Sequence, residues 1–519
     1  MSTPAATHSD GFLSHRQILV VLGGLMAGMF LAALDQSIVG VALPRIVSEL
    51  GGLNHLSWVV TAYLLTSTAS TPLWGKISDL YGRRPIFQAA IVVFLLGSIV
   101  AGVAGSMVVL IAGRSVQGLG AGGLMALALA TIGDVIPPRE RGRYQGYFGA
   151  VFGLSSVAGP LLGGWLTDGP GWRWIFWINI PIGLTALVVT SVFLKIPRVR
   201  RDHTIDYLGA ALVVASVSAI LLYTAWAGEQ YGWSDPSALS LLGAGIVLAV
   251  IFVVWEGRAK EPIIPLRLFS NRVFSPTVLF AAVIGLAMFG GLIYLPIYLQ
   301  VVLGMSPMES GLALVPMMVG IFTTSIGSGQ AMTRTGRYKM FPIAGSVITA
   351  VGMLLLTTLG TTTPYWQIAM YVFTLGAGLG FTMQVVVTAV QNSVDRRDMG
   401  TATSSVTFFR TLGGAFGTAI FGAVLNVRLA HYLSVAPAGS IPADLDTSAV
   451  ANNVEAVNSL ADPVRAVVTD AWVHALNDMF LTAIPFLAVA LVAAILIPEL
   501  PLRTRQIDDV EQSTLSAGR

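Results

Sequence analysis

GKISDLYGRRP, residues 75–85, returns in altered form as GQAMTRTGRY, residues 329–338. Gly75, Gly82 and Arg83 recur as Gly329, Gly336 and Arg337, at a constant offset of 254 positions. The same offset carries Gly159 and Gly163 onto Gly413 and Gly417. The chain therefore reads as two parallel halves, and parallel halves around a central pathway are a transporter arrangement. Within the first copy, Gly75 and Gly82 permit close packing and a tight turn, while Asp79 and Arg83 stand at i, i+4 as a charge pair. A further stretch, GDVIPPRERGR, sets Asp134 beside Arg139, Arg141 and Arg143. These groups suit a charge network that locks one conformation and opens in another. The alternative for the arginines is a solvated role in setting topology.

The chain around these motifs is apolar. Of 519 residues, 55% are hydrophobic and 11% charged, with mean hydropathy +0.76, where soluble domains average about 25% charged. Fourteen apolar segments are predicted, near 18–43, 56–74, 86–104, 106–130, 144–166, 174–194, 207–227, 238–255, 273–301, 309–330, 340–359, 365–388, 400–425 and 478–498. Most approach the roughly 20 residues that cross a hydrocarbon core. The short alternating segments of a β-barrel are not found. The expected fold class is thus an all-α polytopic membrane protein: two six-helix bundles, 18–194 and 273–498, with two extra helices in 195–272. An N-terminal segment (1–17), an outer loop (426–477) helical in part from Pro463 to Asn477, and a polar tail (499–519) complete it.

With the N-terminus inside, the inner segments hold 23 of the 29 lysines and arginines. The outer loops hold four, Arg45, Arg173, Arg428 and Arg465. This bias places both termini in the cytoplasm. The first 17 residues hold one cation, Arg16, and the run that follows is too long for a cleaved signal. Zero cysteines exclude disulfides and thiol chemistry. The six histidines do not cluster as metal ligands, and no phosphate-binding loop is present. No enzyme, cofactor, metal, ATP or nucleic-acid partner is expected, and energy is expected from an ion gradient.

Asp35, in LDQSIVGVALP (34–44), lies deep in the first apolar run. A carboxylate at the centre of a span costs roughly 2.5–3.5 kcal/mol, so such a residue is by default a cation or proton site. Asp35 lies eight residues before Leu43, and Arg114 eight residues after Ser106. Both therefore sit roughly 12 Å below the same surface at 1.5 Å rise per residue. A pair would offset part of each group's desolvation. The alternative for Arg114 is to tie down packing acceptors. Candidates for lining a substrate path are Gln36, Gln117, Phe289, Tyr294, Tyr298, Gln384 and Arg410. Aromatic surfaces accommodate apolar cations, and Gln384 and Arg410 are costly toward lipid. The plain alternative for the aromatics is helix packing or lipid contact. Small residues Gly149, Gly153, Gly159 and Gly163, with Pro160, suit close helix approach and a bend.

GKISDLYGRRP resembles the cytoplasmic signature of the major facilitator superfamily. RSVQGLG (114–120) resembles that superfamily's span-four motif, and the Gly149–Gly164 stretch its antiporter signature in span five. LDQSIVGVALP, WRWIFWINIPIG (172–183) and EPIIPLRLF (261–269) resemble the fourteen-span drug–proton antiporters of QacA and EmrB type. The resemblance implies that Asp35 and Arg114 couple protons at a central cavity. It further implies that Gly75, Asp79, Gly82, Arg83, Asp134 and Arg141 gate the inner face. Two departures stand out: Ser37 and Gly40 replace the usual Thr and Asn, and Thr333 replaces the acid matching Asp79, which implies an asymmetric lock. The expected function is export of small hydrophobic or cationic drugs in exchange for protons, by a monomer in the lipid bilayer of a bacterial cytoplasmic membrane. The alternatives are a dedicated exporter of one metabolite, lipid or antibiotic, and a non-transporting receptor or scaffold.

Overall fold

The computed structural model describes residues 15–50, 56–136, 138–194, 206–226, 235–437, 457 and 460–502. The polar tail from 503, the linker cations Lys195, Arg198, Arg200 and Arg201, and the middle of the outer loop lie outside the described residues. Every regular element among the described residues is helical. The first half comprises α1 (His15–Leu50), α2 (Leu56–Tyr81), α3 (Arg83–Gly102), α4 (Met107–Val135), α5 (Pro138–Asp168), the short α6 (Trp174–Trp177) and α7 (Asn179–Phe193). Next come α8 (Tyr207–Trp226) and α9 (Pro236–Glu256). The second half comprises α10 (Phe274–Val301), α11 (Pro307–Ala313), α12 (Val315–Thr335), α13 (Met340–Leu356), α14 (Tyr365–Ser393), α15 (Met399–Ser434) and α16 (Asp462–Leu496).

Each of the fourteen predicted segments coincides with a helix or a pair of consecutive helices. Twelve are long and apolar enough to cross a membrane by length and composition. The other two positions are filled by α2, with 26 residues, and α13, with 17. Hydroxyl residues lower the hydropathy of α2. Thr66 and Thr71 return their hydroxyls to Ala62 and Ser67 carbonyls one turn back, so these polar groups stay satisfied without water.

The two halves repeat one packing plan. Helix α1 packs on α5 and α7, and α10 packs on α15 and α16; α4 lies against α2 and α3, and α14 against α12 and α13. Between the halves α2 meets α15 and α5 meets α12, the exchange that a pseudo-two-fold demands. Helices α8 and α9 pair with each other, and α8 leans on both α2 and α15 at the flank of the seam. The sequence repeat has a direct physical basis here. Gly82 ends α2 at φ 95° and Gly336 ends α12 at φ 70°, the left-handed region that a β-carbon penalises. Gly159 lets α5 approach Ser37 of α1, and its counterpart Gly413 lets α15 approach the Ala282 carbonyl of α10.

The helices beside the outer loop run further into it than hydropathy predicts. Helix α15 continues to Ser434, and α16 begins at Asp462, so residues 463–477 are one helix with the last span. Polar pairs hold these extensions: Tyr432 donates to Asp478 at 2.8 Å, Arg428 faces the same carboxylate at 3.4 Å, and Asn477 donates to the Leu359 carbonyl. Apolar runs mark the membrane part of a helix and miss such polar ends.

A β-carbon on Gly413 would lie 1.9 Å from the Ala282 carbonyl oxygen, whereas one on Gly327 meets nothing within 4 Å. Gly413→Ala is expected to lower stability by about 1–3 kcal/mol through overpacking. Gly327→Ala is expected to be neutral or stabilising by up to about 1 kcal/mol. Thermal unfolding of the purified variants, side by side, checks the contrast.

Candidate functional site

The acid in the first span is enclosed on every side. Asp35 and Arg114 are both fully buried, and Nη1 of Arg114 lies 2.5 Å from Asp35 Oδ2. The other oxygen, Oδ1, accepts from Gln117 Nε2 at 2.6 Å and Asn179 Nδ2 at 3.0 Å. Both amides also donate to Ser98 Oγ. Arg114 donates in addition to Gln117 Oε1 at 2.7 Å and the Val59 carbonyl at 3.1 Å. Its guanidinium lies over the Tyr63 ring, 4.2 Å from the centroid, and Tyr63 donates its hydroxyl to the Ala32 carbonyl. Five helices thus converge on one carboxylate: α1, α2, α3, α4 and α7.

The equal depths expected for Asp35 and Arg114 end in direct contact. The side chains that bond the carboxylate, Arg114, Gln117 and Asn179, all belong to the first half, and the acid is fully buried among them. Gln117, expected as a substrate contact, is instead part of this network. Ser98 and Asn179 were missed. Ser98 carries no signal in its apolar run, but Asn179 is the one amide in WRWIFWINIPIG and marked itself by cost alone. Its Oδ1 is buried without a hydrogen-bond partner. Next to Asp35, Gln36 is half-buried and Gly40 exposed on the adjoining face of α1.

The second cluster lies where α2 ends, at the motif end of the bundle. Arg83 is clamped between Asp79 at 2.6 Å and Asp134 at 2.5 Å, and donates to Ser78 Oγ. Asp79 reaches across to the other half. It accepts from the backbone of Gly400 at 3.0 Å and of Thr401 at 2.7 Å, and from the Thr401 hydroxyl at 2.9 Å. A carboxylate thereby satisfies orphan donors at the positive N-terminus of α15. Burial pushes the Asp79 carboxyl up, and the Arg83 guanidinium opposes that shift. Gly75 makes the crossing possible, since a β-carbon there would lie 2.0 Å from Ser404 Oγ. Arg141 adds a second crossing: it donates to the Gly133 and Ile136 carbonyls and, at 3.5 Å, to that of Gln391 on α14. The side chains of Arg139 and Arg143 lie outside the described set. In the second motif copy, Thr333 bonds back to Gly329 in its own helix. The apolar core of the first half continues through this end into Val387, Val390, Ala402 and Val406, so the halves are sealed together there.

The small residues of α5 serve two partners. Gly149 and Gly153 face Ser325 and Phe322 of α12, in the other half, while Gly159 faces Ser37 of α1. Pro160 lies against Gly311 of α11, and Gly163 is buried. Ser37 donates to the Ser155 carbonyl at 2.9 Å, tying α1 to α5 two residues from Asp35.

The second half holds the remaining candidates. Tyr294 donates to the Thr418 carbonyl and Tyr298 to that of Gly360, so both aromatics are tied inside the core of this half. Phe289 stands where the repeat offset places the counterpart of Asp35, and packs on Gly414. Gln384 is buried with Oε1 unpartnered, and Arg410 is half-buried on α15.

Comparisons with known proteins agree with this architecture. Residues 25–418 match the family described as Major Facilitator Superfamily. An uncharacterized MFS-type transporter of Mycobacterium tuberculosis is 40% identical over 509 residues, covering 96% of this chain and 72% of that one. The multidrug transporter protein MdtP of Bacillus subtilis is 34% identical over 531 residues, covering 98% of each. The solved structure of the proton:xylose symporter XylE shares the fold, with TM-score 0.60 at 15% identity, over 96% of this chain and 99% of that one.

Two outcomes are expected of these clusters. Ser404→Cys, a fully buried position beneath Gly75, is expected to react with a maleimide about tenfold faster when Asp79→Ala removes the cap on α15. Arg114→Ala, which strands the Asp35 carboxylate, is expected to cost about 3–5 kcal/mol, and the double variant with Asp35→Asn to recover part of it. Labelling kinetics and thermal unfolding read these directly.

Proposed function

We propose that this chain, which belongs to the major facilitator superfamily, is a proton-coupled antiporter that exports small hydrophobic compounds from the cytoplasm by alternating access. It is a transporter with multidrug and efflux-pump relatives. The observation that carries the coupling is the buried Asp35 network. A carboxylate kept in a span at this cost, with Arg114 as its counter-ion, has two states of different shape. Ionised, it holds Arg114, Gln117 and Asn179 together. Protonated, it releases the guanidinium and needs an acceptor for its new O–H, and the unpartnered Oδ1 of Asn179 supplies one after an amide turn. Loosening α1 from α4 and α7 acts through the Ser37–Ser155 bond on α5, and α5 carries the contact with α12.

In this reading the motif end faces the cytoplasm, and the Asp79 cap with the Arg141 crossing closes it. A proton arriving from outside frees Asp35, and the seam gives way so that substrate enters from inside. The loop charge bias supports the orientation, in a bacterial cytoplasmic membrane with both termini inside. A dedicated exporter of one metabolite, lipid or antibiotic would use the same machinery with a different lining.

Asp35→Asn, assayed in energised vesicles across pH, is expected to abolish proton movement on drug addition while the protein stays folded. Coupled efflux like that of the parent chain would sink the assignment. A panel of unrelated toxic compounds against an expressing strain separates broad export from dedicated export.

A further inference from the structure

Away from the span ends, Asp35 and Arg114 neutralise each other inside the first half. That leaves Arg410 as the one unneutralised formal charge deep in the described spans. It lies eleven residues into α15, roughly 16 Å along the helix. Among the described residues no carboxylate, carbonyl or hydroxyl pairs with its guanidinium. A cation held at that depth without a partner is costly, and by default marks a ligand path.

The helix register sets a second unsatisfied group at a like depth on the neighbouring helix. Gln391 of α14 donates to Thr403 of α15 at 3.1 Å. Seven residues back from Gln391 is Gln384, and seven on from Thr403 is Arg410. Seven residues is close to two turns, about 10 Å of rise, so in these antiparallel neighbours both residues return to the bonded face at a common depth. That face is turned toward the first half, because Gln391 also donates to the Leu129 carbonyl of α4 at 3.0 Å. Gln384 is only 5% exposed, and its Oε1 has no partner. The Arg410 stem passes Gly285 of α10, where a β-carbon would lie 3.1 Å from its Cγ. One turn on, Phe289 rests against Gly414.

We propose that Arg410 and Gln384 form the anion-binding part of the substrate site, and that the preferred cargo is an organic carboxylate with an apolar, aromatic body. The planar guanidinium takes a carboxylate through two parallel hydrogen bonds. The Gln384 amide, turned over, adds a donor where it now presents an idle acceptor, and Phe289 offers a face to the body. A cationic compound would meet net positive charge and, among the described residues, no free acid beside it. This assignment deepens the exporter reading and rests on it.

The test uses the purified full chain and three probes with one aromatic body: 1-pyrenebutyrate, neutral 1-pyrenebutanol, and the matching pyrenylbutyl trimethylammonium. Binding is followed by energy transfer from tryptophan to pyrene. The carboxylate is expected to bind at least about tenfold more tightly than the ammonium, and Arg410→Gln to weaken the carboxylate about tenfold while shifting the alcohol less than about twofold. Arg410→Lys is expected to fall between. Retained alcohol binding shows that the variant is folded. The assignment is overturned if the carboxylate fails to bind, if the ammonium binds as tightly, or if Arg410→Gln keeps the anion preference. The exporter reading fails separately: an intact anion preference in the parent chain, without proton movement in energised vesicles, strikes only the coupling.

Discussion

An ionised carboxylate inside a membrane bundle has to be answered by the protein itself, because no water is at hand to do it. Asp35 receives that answer from Arg114, Gln117 and Asn179, and the answer organises the first half. Helices α1, α4 and α7 are held at one point by bonds to its two oxygens, with Ser98 of α3 bridging the amides behind it. The Tyr63 ring and Val59 carbonyl of α2 take the other side of the guanidinium. Removing the charge, whether by a proton or by mutation, changes what all five helices share. In the proposed mechanism this shared point is what a proton releases.

The second constraint is distance. Helices that carry polar crossings must come close, and small residues set at the contacts allow it. Gly75 lets α2 reach α15 closely enough for Asp79 to cap its N-terminus, and Gly149 and Gly153 do the same for α5 against α12. At the motif end the capping bond and the Arg141 bond, each with a charged partner, cross beside the shared apolar core. Asp79 accepts across the halves, while Thr333 returns a bond to Gly329 in its own helix, so the repeat keeps its glycines and turn but not its acid.

Much of the fold was legible because membrane physics simplifies the code. Apolar length located fourteen segments, and the 254-residue offset foretold two halves built on one plan. Depth counting set Asp35 opposite Arg114, and the charged motif at 75–85 signalled a lock. Less legible were groups whose meaning depends on rotation about a helix axis. Gln117, Tyr294 and Tyr298 read as path-lining, but the structure turns the first into the Asp35 network and the others onto backbone carbonyls. Asn179 and Ser98 joined the site unannounced, and the capping of α15 by Asp79 spans 321 and 322 positions of sequence.

By itself, then, the sequence determined that the chain crosses a membrane many times, that its halves are copies of one plan, and that one acid and one arginine share a depth. Those follow from hydropathy, repetition and helical rise, which are additive along the chain. Only the tertiary structure decided which way each polar side chain faces: Asp35 bonds within its own half, Asp79 across to the other, and the Arg410 stem passes Gly285 of α10. A helix fixes the spacing of its residues but not its own rotation, and rotation is set by the neighbours against which it packs.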